Sequence, residues 1–573
     1  MSADGKVSRR SLLTQAGALG AWLPLGPLDA TGDVGGARPP GFPEGIEVYR
    51  RGFRNWAGDI RLDAVPTCAP RSAEEVVQIV NWASQSGYRI RPRGMAHNWS
   101  PLTLSDAAGQ PQRLVLLDTT KHLHQVSTCR SGGLACVRAQ SGVTMSVLLS
   151  RLEESGLGMT ATPAPGDLTL GGVLAVDGHG TGVPAQGESR LPGHTYGSLS
   201  NLVLELQAVV YDAHSGRYVL RTFTRDAPEM AGLLVHVGRA FVTEATLRVG
   251  ANQRLRCRSF LDVPASELFG VPASSRRTLS RFLDQAGRVE AIWYPFTAFP
   301  WLKVWSRSPD RPSSSRLAGR PFNYPFSDNL PEGVSALLTR IVQGEGWLTP
   351  LLGTTMATIT AAGLKASRAT DLWGWSKNLL LYIKPTTLRV TANGYAILTR
   401  RRDVQRVVQE FATHYQSRLD AYRRADQFPV NGPLEVRVTG LDRPEDVAQA
   451  GATTAALSAI RPSTEHPDWD TAVWIDMLTF PGTPGAAAFY REMEQWIYGN
   501  YRDDYAGVRV EWSKGWGYGH EGPWSDPLVL GYEIPRSFRD GVGQGNWNGA
   551  VAALNRLDPF RVFSAPLHDQ LMP

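Results

Sequence analysis

Arg91-Pro92-Arg93-Gly94-Met95-Ala96-His97 is the stretch that decides the fold of this chain, together with a glycine-rich stretch further on. It leaves a predicted strand, Tyr88 to Arg91, and places two guanidinium groups and a histidine at the strand exit. Arginine suits phosphate because its planar fork donates two parallel hydrogen bonds. Taken alone, the pattern is more typical of a loop histidine near surface arginines.

The second stretch runs from Pro165 to Gly182 and contains six glycines. Glycines let a backbone approach a ligand closely, and their N–H groups could line a diphosphate. By itself, a stretch of this kind is more typical of tight turns.

Helices and strands alternate around both stretches. Ser72 and Glu75 form a capping-box pattern that predicts a helix ending at Gly87. Further strands are predicted at 114–117, 136–139, 202–211, 218–223 and 241–249, with a helix at 143–154. The alternation indicates an α/β unit ending near residue 255, followed by strands and long helices rich in aromatic residues.

Length and composition favour two domains and a sizeable buried site, because 573 residues exceed what one hydrophobic core usually serves. The net charge of +6 is scattered without a basic run, so nucleic-acid binding is not indicated. Four cysteines lack metal-ligand spacing, and we expect no metal site. Cys129 and Cys136 flank a plausible hairpin turn and are either bridged or two buried free thiols.

The first thirty residues indicate a processing segment. Arg9-Arg10 precedes an apolar stretch that is interrupted by glycines and a proline and is too short to span a bilayer. The paired arginines resemble a twin-arginine export signal, which predicts a secreted or periplasmic protein that folds around its cofactor before export. An ordinary disordered tail is the alternative.

Both stretches, with the terminal segment Asp558 to Phe563, resemble the FAD-binding domain of the vanillyl-alcohol oxidase family of flavoproteins. The continuation Asn98 to Thr103 is more similar still to the covalent-FAD (type II) class of bacterial cholesterol oxidases. The likeness covers nearly the whole mature chain and includes the segments 290–296, 326–331, 373–377, 431–437 and 511–516. It implies an α+β fold: a two-subdomain FAD-binding domain with a sheet-based substrate cap.

The resemblance implies FAD bonded to the protein through the histidine at position 97. His179 competes for that bond, but its Gly-His-Gly segment looks like a loop near the cofactor. The remaining residues that the resemblance places at the cofactor are Arg91, Arg93, Gly94, Met95, Ala96, Asn98, Pro165, Gly166, Asp167, Leu170, Gly171, Gly172, Gly178, Gly180 and Thr181.

Two strands carry the charged residues expected at the substrate. The period of two in Leu434 to Val438 sends Glu435 and Arg437 to one face, where an ion pair could stabilise negative charge. The resemblance implies that this pair lies in the active site and gates an oxygen path. Glu290 lies between apolar neighbours on a predicted strand, so burial should raise its pKa toward neutrality, which suits a proton-transferring group. Glu511 is a third acidic candidate.

Two positions depart from the pattern of the similar enzymes. Ala392 stands where a glutamate can occur, and Asp476 stands where an asparagine is expected. We expect Asp476 to take over part of the missing acidic role.

The resemblance therefore implies an oxidase acting with O2 on the 3β-hydroxyl of cholesterol and related sterols, giving H2O2 and a 3-keto steroid, which we expect to be isomerised to the 4-en-3-one. A membrane or micelle would supply the sterol, through a mouth formed by Phe296, Phe299, Trp301 and Leu302 or by segment 347–364. The rivals are an alditol or aldonolactone oxidase and a flavin- or sterol-binding protein without turnover. The predicted organisation is 1–40 export signal and linker, 41–255 FAD-binding domain, 256–540 substrate domain and 541–573 return to the first domain.

Overall fold

The structure is a computed structural model that describes residues 38–105, 113–271, 276–324, 331–502 and 504–573. The export signal predicted within the first thirty residues and the motif positions 326–330 lie outside these ranges. Across the described ranges, no helix has both the length and the apolar character that a membrane span requires.

The first helix shows how local sequence sets the elements. Helix Ala73–Ser86 begins after Ser72, whose side chain accepts a hydrogen bond from the Glu75 N–H, and it ends at Gly87 in the left-handed conformation. Its buried face comprises Val76, Ile79, Val80, Trp82 and Ala83. The helix begins and ends within a residue or two of the predicted positions.

The first domain contains two main sheets. Its strands are β1 (Glu47–Arg54), β2 (Arg61–Ala69), β3 (Arg89–Arg93), β4 (Leu114–Asp118), β5 (Val126–Ser131), β6 (Leu134–Gln140), β7 (Leu157–Gly158), β8 (Val203–Asp212), β9 (Arg217–Thr224), β10 (Phe241–Arg248) and β11 (Gly250–Ala251). The order β1-β2-β4-β3 forms a four-stranded sheet, in which β4 runs parallel to both β2 and β3. The order β5-β6-β10-β8-β9 forms an antiparallel five-stranded sheet, and β7 pairs with β11.

The second domain is built on one nine-stranded sheet. Its strands are β12 (Arg254–Phe260), β13 (Arg288–Trp293), β14 (Trp301–Arg307), β15 (Arg316–Leu317), β16 (Asp371–Trp375), β17 (Thr391–Thr399), β18 (Leu434–Gly440), β19 (Thr471–Thr479) and β20 (Ala506–Val510). The order is β15-β16-β12-β14-β13-β18-β19-β17-β20. The sheet thus begins at Arg254, next to the predicted boundary.

Helices cover these sheets. Besides Ala73–Ser86, they are Met145–Glu154, Leu170–Ala175, Met230–Leu233, Ala265–Leu268, Leu279–Ala286, Glu332–Val342, Thr349–Ala366, Ser376–Leu380, Val404–Arg424, Ala486–Asn500, Ile534–Ser537, Trp547–Leu557 and Pro566–Leu571. The largest buried apolar cluster includes Leu148 and Val173 of the first domain and Val289, Val436 and Trp512 of the second. The two domains therefore share one core.

The C-terminal segment returns to the first domain. The Ile90 N–H donates to the Val562 carbonyl at 2.8 Å, which places the segment beside β3. The Asp558 carboxylate accepts from the Tyr218 hydroxyl at 2.5 Å and pairs with Arg239 at 2.9 Å, and both members of this pair are buried. The last residues thus complete the core of the domain that begins the chain.

Cys129 and Cys136 face each other across the β5–β6 hairpin and form a disulfide. The alternative of two free thiols is therefore excluded for this pair. The remaining cysteines, Cys68 and Cys257, are buried and free.

Candidate active site

A cavity of about 330 Å³ lies between the two domains. The exit of β3 and the glycine-rich stretch line it from the first domain. The second domain contributes Ile383, Thr387, Leu388, Val390, Glu435, Arg437, Leu478, Glu511, Ser513 and Lys514. The prediction that both stretches lie at one site is confirmed. None of the residues predicted to form an apolar mouth lines this cavity.

His97 lies in the cavity wall with its ring stacked on Trp56, at 3.6 Å between ring centroids. Burial, with Lys514 and Arg389 nearby, lowers its pKa to about 3, so the imidazole is neutral at neutral pH. Its Nδ1 is buried and has no hydrogen-bond partner among the described residues; the nearest carboxylate oxygen, on Asp167, is 3.9 Å away. The Nδ1 atom of His97 is therefore not engaged in a hydrogen bond with any described residue.

His179 is the second histidine in the cavity wall. Its ring stacks on Trp474 at 3.7 Å, and its Nδ1 lies 2.8 Å from the Gly180 carbonyl. Burial, with Arg437 nearby, lowers its pKa to about 3 as well. Unlike His97, it has a ring nitrogen committed to the backbone.

The loop after His97 is fixed to the second domain. The backbone N–H groups of Trp99 and Ser100 both donate to the Ser513 carbonyl, at 2.8 and 3.1 Å. The Ser100 hydroxyl donates to the Trp512 carbonyl at 2.8 Å. His97 is thereby held near Glu511 and Lys514.

The two arginines of the first stretch have different surroundings. Arg91 is buried and donates to the carbonyls of Leu102, Thr103 and Gly238, so its guanidinium shapes the cavity wall. Three of the five N–H donors of Arg91 are thus engaged by carbonyl groups, and its contact with phosphate stays a prediction. Arg93 also lines the cavity, with its Nη1 3.5 Å from Asp118.

The glycines were expected to let the backbone approach a ligand, but Gly94 and Gly171 allow close packing between protein segments instead. A Cβ on Gly94 would lie 2.2 Å from Thr169 Oγ1, and one on Gly171 would lie 2.8 Å from the Ser141 Cβ. The missing side chains therefore make room for neighbouring protein atoms, which lets these loops pack tightly around the cavity.

Most of the expected cofactor residues line the cavity. These are Arg91, Arg93, Gly94, Met95, Ala96, His97, Asn98, Pro165, Gly171, Gly172, Gly178 and His179. Gly166, Asp167, Leu170, Gly180 and Thr181 do not line it. Thr181 instead donates to the carbonyls of Val289 and Val438, at 2.9 and 3.1 Å, and so ties the glycine-rich stretch to the second domain.

Strand register assembles the charged side of the site. Arg437 on β18 lies directly opposite Glu290 on β13, and Glu435 lies opposite both Ile292 and Asp476. Arg437 forms an ion pair with Asp476 and reaches Glu435 at 3.2 Å and Glu290 at 3.9 Å. Burial opposes its ionisation, but these acids hold the pKa of Arg437 well above its ordinary value.

Glu290 has surroundings that the sequence did not indicate. It is buried but does not line the cavity, and its carboxylate accepts from Lys303 at 2.9 Å and from Tyr382 at 2.8 Å. Burial alone would raise its pKa, yet Lys303 and Arg437 lower the pKa below its ordinary value. The expectation of a raised pKa at Glu290 is therefore wrong.

Glu435 and Glu511 are the acids that the second domain contributes to the cavity wall. Burial raises the pKa of both, and burial with Asp476 nearby raises that of Glu511 to about 8. Asp476 is fully buried behind them; burial opposes its ionisation, but Lys514 and Arg437 lower its pKa. The site therefore combines Asp476, whose pKa is lowered, with Glu435 and Glu511, whose pKa values are raised.

Sequence reasoning missed three contributors. Trp56 carries the His97 ring, Lys514 lies 3.9 Å from Glu511 and 3.8 Å from Asp476, and Lys303 neutralises Glu290. Lys514 stands within the quoted segment 511–516 and was within reach of the sequence. Trp56 and Lys303 become visible only through long-range packing.

The cavity wall carries buried polar atoms that a large polar ligand such as FAD would satisfy. Ser141 Oγ, Asp177 Oδ1, His236 Nε2 and His97 Nδ1 are buried atoms of cavity-lining residues that have no partner among the described residues. Native proteins rarely leave buried polar atoms unpaired, so these atoms indicate a ligand that supplies their partners.

Residues 66–213 match the family described as FAD binding domain, and with the cavity they define a flavoprotein oxidoreductase. Residues 254–573, more than half of the chain, match the family described as cholesterol oxidase, substrate-binding. The chain belongs to the cholesterol oxidase family. The predicted family, fold class and enzyme class are thereby confirmed.

Solved structures agree. A solvent-stable cholesterol oxidase is 56% identical with a TM-score of 0.92, covering 94% of this chain and 100% of that one. The crystal structure of cholesterol oxidase from B. sterolicum is 42% identical with a TM-score of 0.91, covering 94% and 99%.

Curated relatives match over a shorter stretch. L-gulonolactone oxidase of Scyliorhinus torazame is 29% identical over 131 residues, which is 23% of this chain and 28% of that protein. The Bos taurus enzyme of the same name is 27% identical over 135 residues, with the same shares. The match thus spans little more than a quarter of these relatives.

Proposed function

We propose that this chain oxidises the 3β-hydroxyl of cholesterol and related sterols with O2 as acceptor, giving H2O2 and a 3-keto steroid that is isomerised to the 4-en-3-one. The observation that carries this proposal is the single cavity in which the FAD-domain stretches face Glu435, Arg437, Glu511 and Lys514 of the substrate domain. Bound FAD supplies the two-electron acceptor for the alcohol and the donor for O2.

We propose His97 as the residue that holds the flavin covalently. A neutral, buried imidazole with an uncommitted ring nitrogen is a competent nucleophile, and His97 has all three properties. His179 is equally neutral, but its Nδ1 is engaged by the Gly180 carbonyl. Stacking on Trp56 fixes the plane of the His97 ring.

The chain's own acids handle protons. Glu435 and Glu511 have raised pKa values and line the cavity, and Glu511, with a pKa of about 8, can take up and return a proton near neutral pH. Arg437 supplies a permanent positive charge beside them, which stabilises negative charge on a reacting oxygen. Because Arg437 contacts both Glu435 and Asp476, a change of partner could open or close an oxygen path.

Peroxide release tests the reaction. Purified holoenzyme should form H2O2 with cholesterol and negligible amounts with xylitol or an aldonolactone, because the cavity offers the apolar side chains of Ile383, Leu388 and Val390 to a fused-ring substrate. Turnover of xylitol or the lactone in place of cholesterol would favour the polyol oxidase. Absence of peroxide with all three would favour a binding protein.

Acid precipitation tests the flavin bond. Wild-type protein and a His179→Ala control should keep yellow colour in the acid pellet, whereas His97→Ala protein should release its flavin to the supernatant. Flavin retained in the His97→Ala pellet would identify another attachment residue, which mass analysis of the flavin-bearing peptide would locate.

We further propose export to the periplasm or medium and transient contact with a membrane surface or micelle. Arg9-Arg10 supports export, and the exposed side chains of Phe299, Trp347 and Leu351 in the substrate domain suit contact with lipid. Cell fractionation of wild type and an Arg9→Lys/Arg10→Lys variant tests export, since the variant should remain in the cytoplasm.

A further inference from the structure

Asp476 approaches the cavity from behind and uses only one of its carboxylate oxygens. Oδ2 pairs with Arg437 and lies 3.8 Å from Lys514 Nζ. Oδ1 is buried and has no donor among the described residues. This oxygen of the carboxyl group is therefore left without a hydrogen bond from the described residues.

Glu511, which follows β20, shows the mirror arrangement. Its Oε1 accepts from the Ser513 hydroxyl at 3.4 Å and lies 3.9 Å from Lys514 Nζ. Its Oε2 is buried and likewise has no donor within the described ranges. In each acid, one carboxylate oxygen thus lies near Lys514 Nζ. The other oxygen is bare, that is, without a hydrogen-bond donor among the described residues.

The two bare oxygens meet at Gly394 of β17. A Cβ at that glycine would lie 2.5 Å from Asp476 Oδ1 and 2.9 Å from Glu511 Oε2. Two ionised carboxylates with bare oxygens at one buried point would repel each other strongly, whereas one proton between them removes the repulsion and satisfies both atoms.

The charges around the pair also require one proton. Four carboxyl groups, Glu290, Glu435, Asp476 and Glu511, interact with the three cations Lys303, Arg437 and Lys514. His179, which also faces Asp476, is neutral because burial lowers its pKa to about 3. A single proton brings the buried cluster to neutrality. Consistently, burial and Asp476 raise the pKa of Glu511 to about 8.

We propose that Asp476 and Glu511 share one proton at neutral pH, so that Glu511 faces the cavity as a carboxylic acid and Asp476 is the positioning residue that keeps it protonated. This inference deepens the proposed function and rests on it for the identity of the reaction.

The pair matches the proton balance of the reaction. Oxidation of a secondary alcohol to a ketone releases two electrons and two protons, and reduction of O2 to H2O2 consumes the same numbers. The pair holds one proton for two carboxyl groups, so its ionised member can accept the hydroxyl proton of the alcohol, and the pair returns that proton when O2 is reduced. Glu511 lines the cavity where both take place and is the member that exchanges the proton.

Infrared proton counting tests the proposal without sterol. The C=O stretching band of protonated carboxyl groups is measured at pH 7 on holoenzyme of the wild type, Asp476→Asn, Glu511→Gln and the double variant. Each single variant should lose one carboxylic-acid equivalent, and the double variant should lose the same one. The matched control Glu494→Gln, at a buried acid elsewhere with a pKa of about 7, should lose about half an equivalent at pH 7, and this loss should add to that of either variant.

Three results would overturn the shared proton. Loss of two equivalents in the double variant would mean two separately protonated acids, and loss in Glu511→Gln alone would mean that Asp476 has no part in holding the proton. An unchanged band in all three would mean that neither acid is protonated. The infrared measurement contains no sterol, so its outcome does not depend on the peroxide assay. A negative peroxide assay would contradict the proposed reaction and would leave the shared proton as a separate question. If one variant fails to fold, an infrared pH titration of the wild type still decides, since the shared proton should leave near pH 8.

Discussion

Arg437 is the residue on which the acidic side of the cavity depends. It lies within ion-pair distance of Asp476, Glu435 and Glu290, and it is largely buried. Removing one partner of a buried ionic cluster leaves uncompensated charges, which typically costs about 3–5 kcal/mol.

Arg437→Met should therefore lower the free energy of unfolding by about 3–5 kcal/mol at pH 8 and by less at pH 5. Without the cation, the folded-state pKa values of the acids rise above their unfolded values, so their stability contribution is present at low pH and lost as pH rises. Denaturant unfolding at both pH values measures the effect. Arg151→Met, at an exposed pair with Glu154, is the control and should cost at most about 1 kcal/mol. An equal deficit at both pH values would contradict the prediction.

Glu494 titrates in the core for a different reason. It accepts from the Tyr395 hydroxyl and from the N–H groups of Gly517 and Tyr518, but burial outweighs these bonds and raises its pKa to about 7. Its contribution to stability is present below the ordinary value of 4.5 and is lost as pH rises through 7.

The stability of wild type relative to Glu494→Gln should therefore fall between pH 5 and pH 8, by on the order of 3 kcal/mol. Thermal unfolding across this range measures it, with the exposed Glu154→Gln as the control. A difference that does not vary with pH would show that Glu494 is already ionised at pH 5.

Among the elements, the β5–β6 hairpin carries a constraint of its own. The Cys129–Cys136 disulfide closes a short loop at the edge of the five-stranded sheet. Cys129→Ala/Cys136→Ala should lower the free energy of unfolding by about 2–3 kcal/mol, because the unfolded chain regains loop entropy. Unfolding with and without reductant measures this, since reductant should shift the wild type and leave the variant unchanged. A reductant-sensitive variant would contradict the assignment.

Elements with a strong local pattern could be predicted from the sequence. Ser72 and Gly87 mark the ends of helix Ala73–Ser86, and the period of two in Leu434 to Val438 correctly placed Glu435 and Arg437 on one face of β18. Register could not be predicted in this way. Glu290 was expected to have a raised pKa because its chain neighbours are apolar, but Lys303 and Arg437 lie beside it on β14 and β18.

In the site, too, contiguous motifs could be predicted from the sequence, whereas contacts between distant segments could not. The resemblance brought together most of the cavity-lining residues, since it rests on contiguous motifs. The stacking of His97 on Trp56 and the meeting of Asp476 with Glu511 at Gly394 depend on packing between segments far apart in the chain. No local pattern records such contacts.

In the whole molecule, the C-terminal segment holds the first domain together. Asp558 accepts from Tyr218, pairs with the buried Arg239 and accepts from the N–H groups of Val562 and Phe563. Asp558→Asn should lower the free energy of unfolding by about 3–5 kcal/mol, because Arg239 remains buried without its counter-charge.

The matched variant is Asp569→Asn in the same segment. Asp569 pairs with Arg89 and Arg561 at 2.7 and 2.9 Å but is about one-third exposed, so its loss should cost about 1 kcal/mol. Denaturant unfolding ranks the two variants. A larger loss in Asp569→Asn would show that the buried pair is not the principal contact of the segment.

The return of this segment to β3 also orders events on the ribosome. Ile90 acquires its hydrogen-bond partner Val562 only after more than four hundred further residues have been synthesised. A nascent chain therefore carries an incompletely covered nucleotide-binding sheet until its last residues emerge. Acquisition of the cofactor in its final setting must accordingly wait until this segment has been synthesised.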